Sequence, residues 1–292
     1  MMLTVLAPAK INLTLEVLGE RPDGYHEIRS LIQTIDLCDS LRFQVSHNIK
    51  FGCDNPELVV AESLISRATA LLQETTGCSK GATIEITKRI PLSAGLGGDS
   101  SDAAAILYGL NRLWELGLSL KELTELALKL GSDVPFFLYG GTALAEGRGE
   151  IITPLPPLPQ RWVVLMIPPL PHMAEKTKRL YASLKPSHYT DGKITENFIK
   201  ALKEGREFKP SMLFNTFENV AFEQFPGLEV YKGHFLKLGA PSVHLAGSGP
   251  ALFTLVEDRA EAEDLYTRCK QQGMECYLAE TSPLSFSQPP SD

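Results

Sequence analysis

P-L-S-A-G-L-G-G-D-S-S-D-A-A-A-I-L-Y-G-L-N-R-L-W, residues 91–114, joins two segments with different physics. From Ser93 to Ser101 the residues are small, with glycines at 95, 97 and 98. Such a loop enters positive φ easily and lets bare backbone N–H groups approach a ligand. Beyond it Ile106, Leu107, Leu110, Leu113 and Trp114 recur at helical spacing on one face. Ser100 or Ser101 is expected as the N-cap, with Asp102 in the first turn. A glycine loop that feeds a helix N-terminus gathers unpaired N–H groups and the positive end of the helix dipole, so the stretch predicts a phosphate cradle. A purely structural turn is the competing reading. The dinucleotide fingerprint fails because Ser100 stands where its last glycine belongs, and the Walker A pattern fails because no Lys-Ser or Lys-Thr follows the glycines.

The chain has 292 residues, enough for one large domain or two smaller packed ones. Hydrophobic content of 43% and charged content of 22% are ordinary for a soluble globular protein. The net charge of −7 gives no general attraction for nucleic acid or anionic lipid, so any phosphate must be gripped locally. No apolar run reaches the roughly 18–20 residues of a membrane helix. The start M-M-L-T-V-L-A-P-A-K has neither the basic lead of a secretion signal nor the Arg- and Ser-rich character of a transit peptide. Five cysteines, at 38, 53, 78, 269 and 276, form no C-x-x-C, which suits a reducing cytoplasm and argues against a zinc site.

In chain order, strands are expected at 3–7 and 11–18 around a break at Pro8-Ala9-Lys10. The second alternates Ile11, Leu13, Leu15 and Val17 with Asn12, Thr14 and Glu16. The turn R-P-D-G-Y-H follows, then strand candidates at 27–37 and 41–46, a helix over 62–74 and a short strand at 83–87. Ser119 and Glu122 make a capping-box pattern for a helix over 120–130 that Gly131 stops. Four prolines between Pro154 and Pro159 mark the boundary between an N-terminal domain, 1–153, and a C-terminal domain, 160–282. The second domain is expected to hold a strand at 162–167 and helices near 174–184, 196–204, 218–224 and 228–238. Strands at 243–246 and 251–256 flank G-S-G-P, and a helix near 259–272 and a strand near 275–279 close it. Residues 283–292 read as a frayed tail.

Pro91 to Ala105 resembles the ATP loop of the GHMP kinases, whose pattern is P-x-x-x-G-L-G-S-S-A-A. The glycine-rich variant G-L-G-G-x-S-S-x-A-A points to one branch, the 4-diphosphocytidyl-2-C-methyl-D-erythritol kinases. The resemblance implies an α+β, two-domain GHMP-kinase fold with ATP and substrate in the cleft between domains, and Mg2+ as the accompanying ion. It places Pro91, Leu92, Ser93, Ala94, Gly95, Leu96, Gly97, Gly98, Asp99, Ser100 and Ser101 at the nucleotide. Asp99 departs from the glycine of many relatives. A carboxylate there repels a triphosphate unless it points outward or helps to hold magnesium, and the outward orientation is the expectation.

Other motifs extend the resemblance over about residues 5–256. P-A-K-I-N-L is similar to the family's first motif, which puts Lys10 in the active site and Asn12 on the same strand face. Asp133, in G-S-D-V-P, matches the aspartate that takes the proton from the substrate hydroxyl. Ser132 stands where alanine is usual and could give that carboxylate a hydrogen bond. V-H-L-A-G-S-G-P implies supporting roles for Gly247, Ser248 and Gly249. R-P-D-G-Y-H matches the segment used for the cytidine end of the substrate. It assigns Tyr25 to stacking, His26 to the base edge, and Thr177 and Tyr181, four apart on a predicted helix, to the same pocket. The stretch before Thr177 departs from the family's shorter form.

The chemistry is coherent, because phosphoryl transfer needs positioning and charge neutralisation above all. A carboxylate accepts the hydroxyl proton, and a nearby ammonium holds it ionised. The expected activity is transfer of the ATP γ-phosphate to the 2-hydroxyl of 4-diphosphocytidyl-2-C-methyl-D-erythritol by a cytoplasmic enzyme with a small-molecule substrate and neither nucleic-acid nor membrane partners. The alternatives are another GHMP small-molecule kinase, of homoserine or mevalonate kinase type, and a GHMP-fold binding protein without catalysis.

Overall fold

The alternating residues on either side of Lys10 fold into one strand, not two. A computed structural model describes residues 2–53 and 62–283 of the chain. In it β1 (Met2–Glu20) runs unbroken through Pro8 and pairs antiparallel with β2 (His26–Ser46), which likewise joins the two strands expected between 27 and 46. The expected break is a bulge. Pro8 lies opposite Cys38 and Ala9 opposite Ile35, so Asp36 and Leu37 fall between them. A bulge frees the ladder from needing an N–H that proline lacks, and it re-aims the side chains beyond it. Val5 and Ala7 therefore share a core with Leu41 and Phe43, while Ala9, Ile11 and Leu13 join Leu31 and Ile35 in another. The same device turns Lys10 and Asn12 toward the site.

The other strands are β3 (Lys50–Cys53), β4 (Gly81–Thr87), β5 (Thr142–Gly147), β6 (Ile151–Pro154), β7 (Trp162–Ile167), β8 (Phe214–Asn215), β9 (His244–Leu245), β10 (Leu252–Val256) and β11 (Glu275–Glu280). Among the described residues the larger sheet has the order β3-β4-β2-β1-β8, with β5 on β2 and β6 on β5, and the smaller has the order β11-β7-β10-β9. Helices α1 (Leu64–Thr76), α2 (Gly98–Leu113), α3 (Leu120–Leu130) and α4 (Val134–Tyr139) share a core with the larger sheet. Ala103 to Leu107 and Leu110 of α2 are fully buried, as befits a central helix. Gly109 brings its backbone so near the sheet that a Cβ would stand 2.5 Å from the Phe43 ring. The α3 capping box forms as read: Glu122 N–H donates to Ser119 Oγ, and Ser119 N–H to Glu122 Oε2.

Helices α5 (Lys176–Ser183), α6 (Lys193–Lys203), α7 (Glu218–Gln224), α8 (Leu228–Lys237) and α9 (Arg259–Gln271) complete the fold, each within three residues of its expected start. The proline stretch at 154–159 does lie between the strands of the two sheets. It does not divide two separate cores, because Val163, Leu165 and Phe253 of the smaller sheet pack with Ile11, Leu13 and Leu31 of the larger. β8 also returns to pair with β1 in parallel. The expected tail, 283–292, lies outside the described residues apart from Pro283. Among the described residues no helix is long and apolar enough to cross a membrane, and all five cysteines are free.

Candidate active site

The glycine loop enters α2 without a side-chain cap. Its N-cap is Gly97, at φ 74°, and the helix starts at Gly98, so Ser100 and Ser101 lie inside the helix instead of capping it. With no side chain taking them, the first-turn N–H groups stay available to an anion. A side chain at 97 would meet Phe137 at 2.7 Å and the stem of Lys10 at 3.1 Å, so glycine is required there by packing as well as by φ.

Lys10 is placed by this loop. Its backbone N–H donates to Leu96 O at 2.9 Å, and its Nζ donates to Asn12 Oδ1 at 2.7 Å. Asn12 is held in turn by Ser30, its Nδ2 donating to Ser30 Oγ at 2.8 Å. Asp133 stands at the N-terminal edge of α4, with its Oδ2 3.9 Å from Lys10 Nζ. The two differ in exposure: the lysine side chain is 7% exposed and the aspartate 44%. Burial lowers the Lys10 pKa, and the Asp133 charge opposes that shift. No hydrogen bond from Ser132 to the Asp133 carboxylate forms among the described residues.

The G-S-G turn closes on the loop from the other side. A Cβ on Gly95 would fall 2.1 Å from Ala246 O, and one on Gly247 would fall 2.7 Å from Gly95 O and 3.0 Å from Lys10 Nζ. Asn215 of β8 secures the turn by donating from Nδ2 to Leu245 O and Gly247 O. Thr177 of α5 reaches the turn through Ser248 Oγ, at 2.9 Å.

These groups line one cavity of about 960 Å³. Its wall includes residues 91–100, Lys10, Asn12, Tyr25, His26, Asp133, Thr177, Tyr181, Gly247 and Ser248. Two residues assigned from sequence are not on it. Ser101 is fully buried within α2, and Gly249 does not line the cavity, although its carbonyl accepts from Lys176, which does. Asp99, expected to point outward, is exposed but lines the cavity, and its charge acts on Lys176. At the far end stand the rings of Tyr25, His26 and Tyr181. His26 lies face to face with Tyr181, centroids 4.7 Å apart, while the Arg148 guanidinium covers Tyr25 at 4.6 Å. Burial, with the Asp133 charge second, raises the Tyr181 pKa and keeps its hydroxyl protonated.

With loop, ammonium, carboxylate and ring pocket in one cleft, comparison with known proteins decides the family. Residues 63–141 match the GHMP kinases N terminal domain and residues 198–274 the GHMP kinases C terminal domain. The chain is 49% identical over 280 residues to a 4-diphosphocytidyl-2-C-methyl-D-erythritol kinase of Dehalococcoides mccartyi, covering 96% of this chain and 98% of that one. The chain belongs to that family of GHMP kinases. A second relative of the same name, from Geobacillus kaustophilus, is 41% identical over 278 residues, with 91% and 92% covered. The crystal structure of a 4-(cytidine 5'-diphospho)-2C-methyl-D-erythritol kinase superposes with a TM-score of 0.81 at 35% identity, covering 96% of this chain and all of that one. A homoserine kinase from Cytophaga hutchinsonii shares the fold at 20% identity, TM-score 0.69, with 96% and 94% covered.

Several wall residues were not singled out from sequence. Lys88 bonds both Asp39 and Asp102, Oδ2 atoms at 2.5 and 2.6 Å, with all three side chains 10% exposed or less. Asp39 Oδ1 also accepts from the N–H groups of Arg89 and Ile90. Lys176 donates to Ser93 O and Gly249 O. Arg148 falls in A-E-G-R-G-E, a segment whose paired glycines were the one available hint.

Proposed function

We propose that the chain transfers the γ-phosphoryl group of ATP to the 2-hydroxyl of 4-diphosphocytidyl-2-C-methyl-D-erythritol. The observation that carries this reading is the Lys10–Asp133 pair beside the uncapped start of α2, in the same cavity as Tyr25 and His26. In the proposed step the Asp133 carboxylate accepts the proton of the substrate hydroxyl as its oxygen bonds to the γ-phosphorus. The bond from that phosphorus to the bridging oxygen breaks, and ADP leaves with the electron pair. Lys10 offsets charge on the group in transit. Its bond to Asn12, with its backbone N–H anchored on Leu96 O, positions that ammonium before substrate arrives, which is the preorganisation such electrostatic catalysis needs.

Magnesium belongs to the same proposal. Among the described residues no group of three His, Cys, Asp or Glu side chains could hold a metal. That fits an ion carried mainly by the nucleotide phosphates, as Mg2+ commonly is, with one or two carboxylates completing its shell. Asp99 is the acidic side chain of the loop on the cavity wall. The ion would neutralise phosphate charge that the chain's own residues meet only in part.

The test is ADP release with a panel of acceptors: the cytidine diphosphate substrate, mevalonate, homoserine and galactose. Turnover is expected with the first alone. Turnover with mevalonate or homoserine in its place would replace this reading.

A further inference from the structure

The cavity wall carries the basic side chains Lys10, Lys88, Arg148, Lys176 and Lys178. Four of them face a carboxylate: Lys10 pairs with Asp133, Lys88 with Asp39 and Asp102, Arg148 with Glu150 and Lys178 with Glu175. Lys176 does not. Its ammonium donates to two backbone carbonyls, Ser93 O on the glycine loop and Gly249 O on the G-S-G turn, and no ion pair satisfies its charge among the described residues. An ammonium has three donors, so one remains for the cavity.

A part-buried cation without a counter-ion is costly, and a second cation nearby raises that cost. Burial and the charge of Lys10 together push the Lys176 pKa down to about 8, with Asp99 opposing. Nothing in the fold requires this expense. The two carbonyls could be met by any neutral donor, and Thr177 already ties α5 to the turn. The arrangement is balanced once an anion sits between the two ammoniums, against the first-turn N–H groups of α2.

We propose that Lys176 binds the terminal phosphate of the nucleoside triphosphate, gripping it from the α5 side opposite Lys10. This rests on the kinase reading above and adds a residue to it. The sequence gives no local sign of the role, since Lys176 stands in E-K-T-K-R, where three basic residues in five read as a solvated helix face.

The experiment measures affinity for a non-hydrolysable ATP analogue and for ADP, by titration calorimetry, in the wild type, K176Q and K176R. Gln can still donate to the Ser93 and Gly249 carbonyls, so a purely structural role survives the substitution. A charged hydrogen bond contributes about 1.5–3 kcal/mol, so K176Q should bind the triphosphate analogue roughly tenfold to a hundredfold more weakly. Its ADP affinity should stay within about twofold of the wild type, since ADP lacks the terminal phosphate. K176R keeps a charge and should restore most of the triphosphate affinity. Equal weakening toward ADP and the analogue, or unchanged affinity for both in folded K176Q, overturns the assignment. If K176Q does not fold, K176N, which likewise keeps an amide donor and no charge, takes its place with the same outcomes. Wild-type protein that binds neither nucleotide and releases no ADP in the acceptor panel overturns the kinase reading itself, which separates the two failures.

Discussion

Removing Lys88 should destabilise the protein heavily at neutral pH, and removing Asp102 should not. Lys88 is a single cation between two buried carboxylates, so with both ionised the group carries one negative charge too many. Burial pushes the Asp102 carboxyl up to about 7; Lys88 opposes this and the Asp39 charge adds to it. Raising a carboxyl from its ordinary 3.8 to about 7 corresponds to about 4 kcal/mol between its two protonation states. The folded pKa lies above the unfolded one, so the folded state binds the proton more tightly. That stability is fully present below about pH 4 and is lost as pH rises through about 7. Asp102→Asn keeps the shape and removes this titration, so it should lose the part of the wild-type fall between pH 4 and 7 that Asp102 causes and be at least as stable as the wild type at pH 8. Lys88→Met strands both carboxylates, and breaking a buried pair in this way costs about 3–5 kcal/mol. The loss should shrink on acidification as Asp102 takes up a proton. Urea unfolding followed by fluorescence of Trp114, which is buried in the core at the C-terminal end of α2, measures all of this. A wild-type pH slope retained in Asp102→Asn would refute the argument, as would a Lys88→Met loss under about 1 kcal/mol at pH 8.

The remaining predictions concern chemistry and recognition. Asp133→Asn should lower kcat on the order of 10²-fold or more with substrate binding kept, because the base is lost and the shape is not; steady-state turnover near the wild-type rate would remove Asp133 from the role. Gly247→Ala puts a Cβ 2.7 Å from Gly95 O and 3.0 Å from Lys10 Nζ at φ 54°. The resulting displacement of the loop or of Lys10 should cost up to about 10²-fold in kcat, and an unaltered kcat would show that the two loops need not interlock. Tyr25→Ala and His26→Ala should each raise KM for the cytidine substrate by the equivalent of roughly 1–3 kcal/mol while ATP affinity holds, and Tyr181→Ala should do likewise. Free CDP should compete with the substrate and UDP poorly; equal competition by both would mean that the base edge is not read.

Elements with a local cause were legible in the sequence. The capping box of α3 needs only Ser119 and Glu122, three residues apart, and it formed between those residues. The turn at Pro22-Asp23-Gly24 likewise closes on itself, with Gly24 at φ 80° and Tyr25 N–H donating to Asp23 Oδ1. Pro8 and Gly97 misled for one shared reason. A proline inside an alternating run usually ends the strand, and a serine before a helical run usually caps it, but each rule speaks only of the isolated segment. At Pro8 a bulge against β2 removed the need for a ladder bond. At Gly97 the helix began early and left its first N–H groups without a side-chain partner, which is what a phosphate site requires.

The site divides along the same line. Lys10, Asp133 and the loop could be found because each lies in a short motif whose letters carry the chemistry. Lys88, Asp39 and Asp102 could not, because the charges that define them come from three distant segments and meet only in the fold. Lys176 is the sharper case. Its sequence neighbours are basic and exposed, so the local pattern argues for a solvated lysine. The tertiary structure instead sets its ammonium between two loop carbonyls, near another ammonium and with no carboxylate within ion-pair distance. A charge pattern that is unfavourable in the empty protein becomes favourable once a polyanion is present. On the proposed reading Lys176 is marked by what its ammonium lacks, and such an absence leaves no trace in the order of residues along the chain.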